Sequence, residues 1–253
     1  MKEPWPYPRI FAHRGGGSLA PENTLAAIRT GQELGFAAHE FDVKLSRDGV
    51  ALLLHDDTLE RTTSGSGRAA DFAWSDLARL DAGAWHSAAF RGERLASFEA
   101  AAKLLRSKGT LANVEIKPTP GFERETGEHV AARARELWEG APVPPLLSSF
   151  SFEALMAAKD AAPALPRGWL TDEFTPPDWA KLAVLDAVSL HTNHRKLPQN
   201  ALSRLHDKGY RVLLYTVNDA STAESLLDAG VDGIFTDNLR EFAERFPEAI
   251  RAP

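Results

Sequence analysis

The sequence predicts an α/β protein, a (β/α)8 TIM barrel with a small inserted cap segment after the second strand. Three observations predict it. Short apolar runs alternate with amphipathic stretches along the whole chain, the pattern of a parallel sheet with helical crossovers. There are eight of each, and 253 residues suit one closed barrel. One stretch, about 56–96, breaks the alternation and carries many Gly, Ser, Thr and Trp residues. An open doubly wound sheet is the structural alternative.

The strand candidates are 9–13, 38–45, 111–117, 146–149, 165–171, 187–191, 211–217 and 233–236. Between them lie helix candidates at 23–34, 97–106, 123–137, 152–159, 178–182, 199–207 and 220–228, with a last one from about Leu239. Asn23 is the expected N-cap of the first helix and Ser97 that of the second. Leu34-Gly35 and Lys208-Gly209 read as helix stops with glycine just past the end. Ser46-Arg47-Asp48-Gly49 is a turn signal followed by a second apolar run, 50–55, so the second strand extends into a β-hairpin. The long insertion that follows is of the kind that often serves function, and it is placed over the barrel mouth. One short helical pattern is expected in it, near 75–80. The whole chain reads as one domain, with no internal repeat.

Composition narrows the function. A hydrophobic fraction of 43% and a charged fraction of 25% are ordinary for a globular protein. The net charge of -6 argues against an extended nucleic-acid surface, which needs a basic face. There is no cysteine, so disulfides, zinc thiolates and a thiol nucleophile are excluded. The proline-rich beginning lacks the apolar core of a signal peptide, and no apolar run reaches membrane-spanning length. The expectation is a soluble cytoplasmic protein with no membrane partner. No feature specifies an oligomeric state.

The most informative pattern is Glu40-Phe41-Asp42-Val43-Lys44. Alternate side chains of a strand share a face. Phe41, Val43 and Leu45 therefore belong outside, against the helices, and Glu40, Asp42 and Lys44 inside. The third strand repeats this with Asn113, Glu115 and Lys117 inward. Buried carboxylates are costly unless something positive sits between them. A hard divalent cation would satisfy them, and so would a network of salt bridges to Lys44 and Lys117. Both readings remain open at this point.

Other polar groups stand at strand ends. His13-Arg14-Gly15-Gly16-Gly17 ends the first strand. Arginine there suits a phosphate, and glycines allow close backbone approach to an anion, or simply a turn. His13 and His55 both lead into loops, where imidazoles suit proton transfer near neutral pH. No G-x-S-x-G surrounds Ser18, Ser148 or Ser149, which weighs against a serine hydrolase. Trp74 and Trp85 lie in the insertion, where they either pack or line a pocket.

Taken together, Ala12-His13-Arg14-Gly15, Ala20-Pro21-Glu22-Asn23-Thr24, Glu40-Phe41-Asp42-Val43, Asp48-Gly49, His55-Asp56, Arg61-Thr62-Thr63 and Glu115-Ile116-Lys117 resemble the glycerophosphodiester phosphodiesterase family. Weaker echoes follow in Ser148-Ser149-Phe150, Thr216-Val217-Asn218 and Gly233-Ile234-Phe235-Thr236-Asp237. The resemblance implies a barrel enzyme that hydrolyses glycerophosphodiesters, such as glycerophosphocholine or glycerophosphoethanolamine, to glycerol 3-phosphate and an alcohol. It implies Glu40, Asp42 and Glu115 as ligands of Mg2+ or Ca2+, His13 and His55 as catalytic histidines, and Arg14 and Lys117 as phosphate-binding groups. Glu22 and Asn23 would support the site. Phe41 replaces a usual leucine, and Tyr215 replaces a common tryptophan. A lyase giving a cyclic phosphate is the neighbouring reaction, and a non-catalytic barrel holding a phosphorylated ligand is the reading from another class.

Overall fold

The computed structural model describes residues 5–198 and 200–253. Its strands are β1 (Ile10–Ala12), β2 (Ala38–Leu45), β3 (Ala51–Leu53), β4 (Leu111–Ile116), β5 (Leu146–Ser149), β6 (Arg167–Thr171), β7 (Ser189–Asn193), β8 (Arg211–Tyr215) and β9 (Gly233–Thr236). All but β3 run parallel in the order β1-β9-β8-β7-β6-β5-β4-β2, and β1 pairs with β2 to close the barrel. The short β3 runs antiparallel to β2, as the turn at 46–49 requires. Gly49 sits there at φ +76°, a conformation that glycine adopts at little cost.

The helices are α1 (Leu25–Glu33), α2 (Trp74–Leu77), α3 (Phe98–Ser107), α4 (Glu123–Leu137), α5 (Phe152–Ala161), α6 (Asp178–Val184), α7 (Ala201–Asp207), α8 (Ala220–Asp228) and α9 (Leu239–Arg245). Four of them start alike. The side chains of Thr24, Ser97, Ser151 and Asp219 accept the backbone N–H three residues on, at Ala27, Ala100, Ala154 and Thr222. Each such cap typically stabilises by about 1 kcal/mol. The expected cap Asn23 is displaced by one residue: Thr24 caps α1, and Asn23 adopts φ +59° to serve the barrel interior. The helix candidate 199–207 begins at Gln199, which lies outside the described residues; α7 starts at Ala201.

The pleat sorts the strand residues as alternation demands. Phe41, Val43 and Leu45 of β2, with Val114 and Ile116 of β4, pack against Phe98, Leu105 and Trp138 in the layer between barrel and helices. Phe11, Ala38, Leu146, Leu213 and Phe235 form an apolar plug inside the barrel, closed from below by Tyr7. His191 and Ser189 lie within and below that plug, bonded to each other, while Glu40, Asp42 and Glu115 stand above it, toward the strand C-termini, where barrel sites belong.

Residues 56–96 carry their own small apolar cluster, with Leu59, Ala69, Leu77 and Ala82 packed on Leu52 and Leu54. Trp74 joins that cluster rather than a cleft. The segment is tied to the barrel by Glu93, which accepts the Ala26 N–H, and by His86 Nε2, 3.1 Å from the Ser18 carbonyl. Among the described residues no helix is long and apolar enough to cross a membrane.

Candidate active site at the barrel mouth

Adjacent strands bring the carboxylates together. In the β2–β4 register Asp42 stands opposite Glu115, and Glu40 opposite Asn113. One oxygen from each of Glu40, Asp42 and Glu115 lies within 4.8 Å of the others, and all three residues are buried. Asn23 reaches in from the first loop: its amide nitrogen donates to Asp42 Oδ2 at 2.8 Å, and its carbonyl accepts the Asp42 N–H. That double bond holds one carboxylate still and explains the left-handed backbone at Asn23.

The two alternatives for neutralising these charges divide between the lysines. Lys117 Nζ is 2.7 Å from Glu115 and 3.6 Å from Asp42. Lys44, expected beside Glu40 and Asp42, instead pairs with Asp57 at 3.0 Å and the Asp56 carbonyl. Arg14 Nε approaches Asp42 no closer than 4.0 Å. The result is uneven. Burial pushes Asp42 up, but the charges of Lys117, His55 and Arg14 and the Asn23 amide outweigh it and hold it low. Burial and then the charge of Asp42 push Glu40 up, and burial and Asp42 do the same to Glu115. Glu40 is left with His13, at 3.8 Å, as its one ion-pair partner among the described residues. Three converging oxygen donors short of positive charge, with no sulfur or nitrogen among them, are the donor set of a hard divalent cation.

The two histidines flank the cluster, each backed by a carboxylate. His13 Nδ1 is 2.7 Å from Asp237 Oδ1, which leaves Nε2 on the Glu40 side at 3.8 Å. His55 Nδ1 is 2.7 Å from Asp56 Oδ1. Burial lowers the His13 pKa, but the Asp237 hydrogen bond and the charges of Glu40 and Asp237 outweigh it, so the group ends above its ordinary value. Burial, reinforced by Lys117, takes His55 below.

The supporting shell is continuous. Asn218, just beyond β8, donates to Asp237 Oδ2 and accepts the Asp237 N–H. Arg61 from the insertion grips both Asp56 and Glu22, and Glu22 in turn binds Arg14. A chain of alternating charge therefore runs from His55 to Arg14. Asp56, Arg61, Asn218 and Asp237 were assigned no role from the sequence. A signal was present for two of them, since Asn218 and Asp237 are polar residues immediately beyond the C-termini of barrel strands.

The glycines of the first loop serve packing. A side chain at Gly17 would meet the Asp237 carbonyl at 2.3 Å, and one at Gly16 the Ala27 carbonyl at 2.8 Å. They let the loop lie flat on α1 and the 237 turn, while Arg14, at φ +50°, points its N–H to Glu40. Tyr215 donates to the Thr171 carbonyl and stands edge-on to Phe150 at 5.9 Å, so it backs the aromatic that faces the site. Trp85 borders a cleft beside His13, the pocket role that Trp74 does not have.

A model of the glycerophosphoryl diester phosphodiesterase family matches residues 13–241. A glycerophosphodiester phosphodiesterase of Caldanaerobacter subterraneus subsp. tengcongensis is 33% identical over 233 residues, covering 90% of this chain and 93% of its own. A phosphodiesterase of Oleispira antarctica, solved with the product sn-glycerol-3-phosphate, superposes with a TM-score of 0.87 at 33% identity, covering 94% of this chain and 96% of its own. A glycerophosphodiester phosphodiesterase of Agrobacterium tumefaciens gives 0.77 at 28% identity over 94% of this chain and 99% of its own. With a match running from His13 into α9 and relatives covered over nearly their whole length, this chain belongs to the glycerophosphoryl diester phosphodiesterase family.

Proposed function

We propose that the protein hydrolyses glycerophosphodiesters to sn-glycerol 3-phosphate and an alcohol, using a divalent cation held by Glu40, Asp42 and Glu115. The observation that carries this reading is the meeting of three buried carboxylates with two histidines, each oriented by its own aspartate. A binder needs no such proton-transfer pair. When bound, the cation, Mg2+ or Ca2+, supplies Lewis-acid stabilisation of the charge that builds on a non-bridging phosphate oxygen. Arg14 and Lys117 hold the remaining oxygens as charge-assisted donors. One of His13 and His55 takes the proton of the attacking hydroxyl, and the other returns a proton to the departing alkoxide. Asp237 and Asp56 fix the tautomers, so that the nitrogens facing the cluster are the ones that exchange protons. On this reading the chain is one barrel domain whose segment 56–96 caps the mouth.

The test is a panel of glycerophosphodiesters assayed after EDTA treatment and again with Mg2+ or Ca2+ restored, with products followed by phosphorus NMR. Hydrolysis that vanishes with EDTA and returns with the ion supports the proposal. A cyclic phosphate as the end product would assign the lyase reaction instead. Ligand binding without turnover in any ion would reduce the protein to a binder.

A further inference from the structure

Two clefts open at the barrel mouth, and the strand order places them on either side of β2 and its carboxylates. One, of about 780 Å3, is lined by residues following β1, β8 and β9, including His13, Arg14, Asn218 and Asp237, and by Trp85 and His86 of the insertion. The other, of about 510 Å3, is lined by His55, Glu115, Lys117, Ser149 and Phe150. A phosphodiester centred on the carboxylates has two ester arms and needs a cleft for each.

The clefts differ in what their aromatic rings can still bind. In the smaller one, Phe150 carries the Lys117 ammonium 5.4 Å from its ring centre. Asp56, Asp57, Glu115 and Glu123 also line this cleft, but its aromatic face is taken: a second cation over Phe150 would meet the ammonium. In the larger one, Trp85 is 41% exposed. Its indole N–H is spent on the Ala82 carbonyl at 2.9 Å, which pins the ring. His86 stands edge-on to it at 5.7 Å, and Phe90 edge-on to His86 at 5.3 Å, so the indole is held within a row of rings. The carboxylates of that cleft are already paired, Glu22 with Arg14 and Arg61 and Asp237 with His13, so the indole face is its open recognition element. A fixed, exposed indole face whose N–H is already spent is the chemistry that recognises an alkylammonium.

Resting on the phosphodiesterase reading for the arrangement of the arms, we propose that the larger cleft takes the alcohol arm and that Trp85 is its selecting residue, favouring head groups that end in an alkylammonium. The inserted segment then sets head-group preference, while the barrel strands carry the proton transfers. Trp85 touches only the head group, so its effect falls on discrimination between substrates.

Calorimetry on the full chain, with choline and its uncharged isostere 3,3-dimethylbutan-1-ol as probes, tests this without requiring turnover. Choline should bind more tightly than the isostere, by roughly 2- to 30-fold, the span of cation–π contacts from exposed to desolvated sites. Trp85→Ala should erase that difference, and Trp85→Phe should keep part of it. In parallel, Trp85→Ala should lower kcat/KM for glycerophosphocholine by a similar factor and leave that for glycerophosphoglycerol nearly unchanged. Equal affinity for the two probes, or a preference that survives in Trp85→Ala, overturns the proposal. Loss of activity on both substrates alike does so too. Choline selectivity lost in Trp85→Ala, in a protein that hydrolyses no diester with any ion, would sink the phosphodiesterase reading while the assignment of Trp85 stood.

Discussion

Asp237 Oδ1 lies 2.7 Å from His13 Nδ1, although 224 residues separate them in the chain. The closure of β9 onto β1, pairing Thr236 with Ala12, makes them neighbours. A carboxylate in that position selects the tautomer whose free nitrogen faces the reaction and stabilises the imidazolium.

Asp237→Asn should therefore lower kcat, by between about 10- and 10³-fold, less than or comparable to the roughly 10²–10⁴-fold expected for His13→Ala. It should also move the His13 limb of the pH–rate profile to lower pH, because the hydrogen bond that raises this group is lost. Steady-state kinetics across pH checks both. Wild-type turnover in Asp237→Asn would remove His13 from the reaction.

Arg61 tests the charge chain that joins His55 to Arg14. Its guanidinium is nearly half exposed, so its ion pairs stabilise the fold by at most about 1 kcal/mol. Arg61→Ala should leave Tm almost unmoved while activity falls by about tenfold, because Asp56 and Glu22 are freed together. Arg61→Lys should restore little, since an ammonium lacks the planar fork that spans two carboxylates. Tm and kcat/KM measured on the same samples separate the two effects.

Cation binding should be visible as stability. A ligand at about a hundredfold excess over Kd stabilises the folded state by roughly 2.7 kcal/mol, or roughly 5–10 °C in Tm for a chain of this size. Mg2+ or Ca2+ should give such a rise over EDTA-treated protein, and Asp42→Asn should cancel it. A Tm indifferent to both ions would mean that Lys117 and Arg14 already complete the cluster.

His191 provides a pH dependence away from the carboxylates. It is buried in the barrel with Nε2 2.9 Å from Ser189 Oγ, and burial takes its pKa down to about 3. The unfolded value is about 6.5, so below that pH the unfolded chain binds a proton that the folded one refuses. The contribution is fully present above about pH 6.5. It is lost as pH falls toward the folded value, at up to about 1.4 kcal/mol per pH unit. Between pH 7 and 5, wild-type stability should fall by about 2 kcal/mol more than that of His191→Gln. Parallel denaturation curves over that interval would show that the ring is solvated.

The barrel was legible in the sequence because β-strand alternation has period two and admits one sorting: Phe41 and Val43 against the helices, Glu40 and Asp42 inside. The caps at Ser97 and the stops at Gly35 and Gly209 were legible because a hydroxyl one step before a helix, and a glycine one step after it, act within a few residues. Asn23 misled for the same reason. Its local signal is that of a cap, yet Thr24 supplies the cap, and a distant carboxylate claims the Asn23 side chain.

By itself the sequence determined which side chains face the barrel interior and that three of them are acidic, since both follow from periodicity and side-chain chemistry. Only the tertiary structure decided which partner each polar group would take. Lys44 turned to Asp57 rather than Asp42, Asp237 came to His13 across the barrel seam, and Arg61 bridged two carboxylates 34 residues apart. Such pairings depend on strand order and loop path, which separate groups adjacent in the chain and join groups remote from one another.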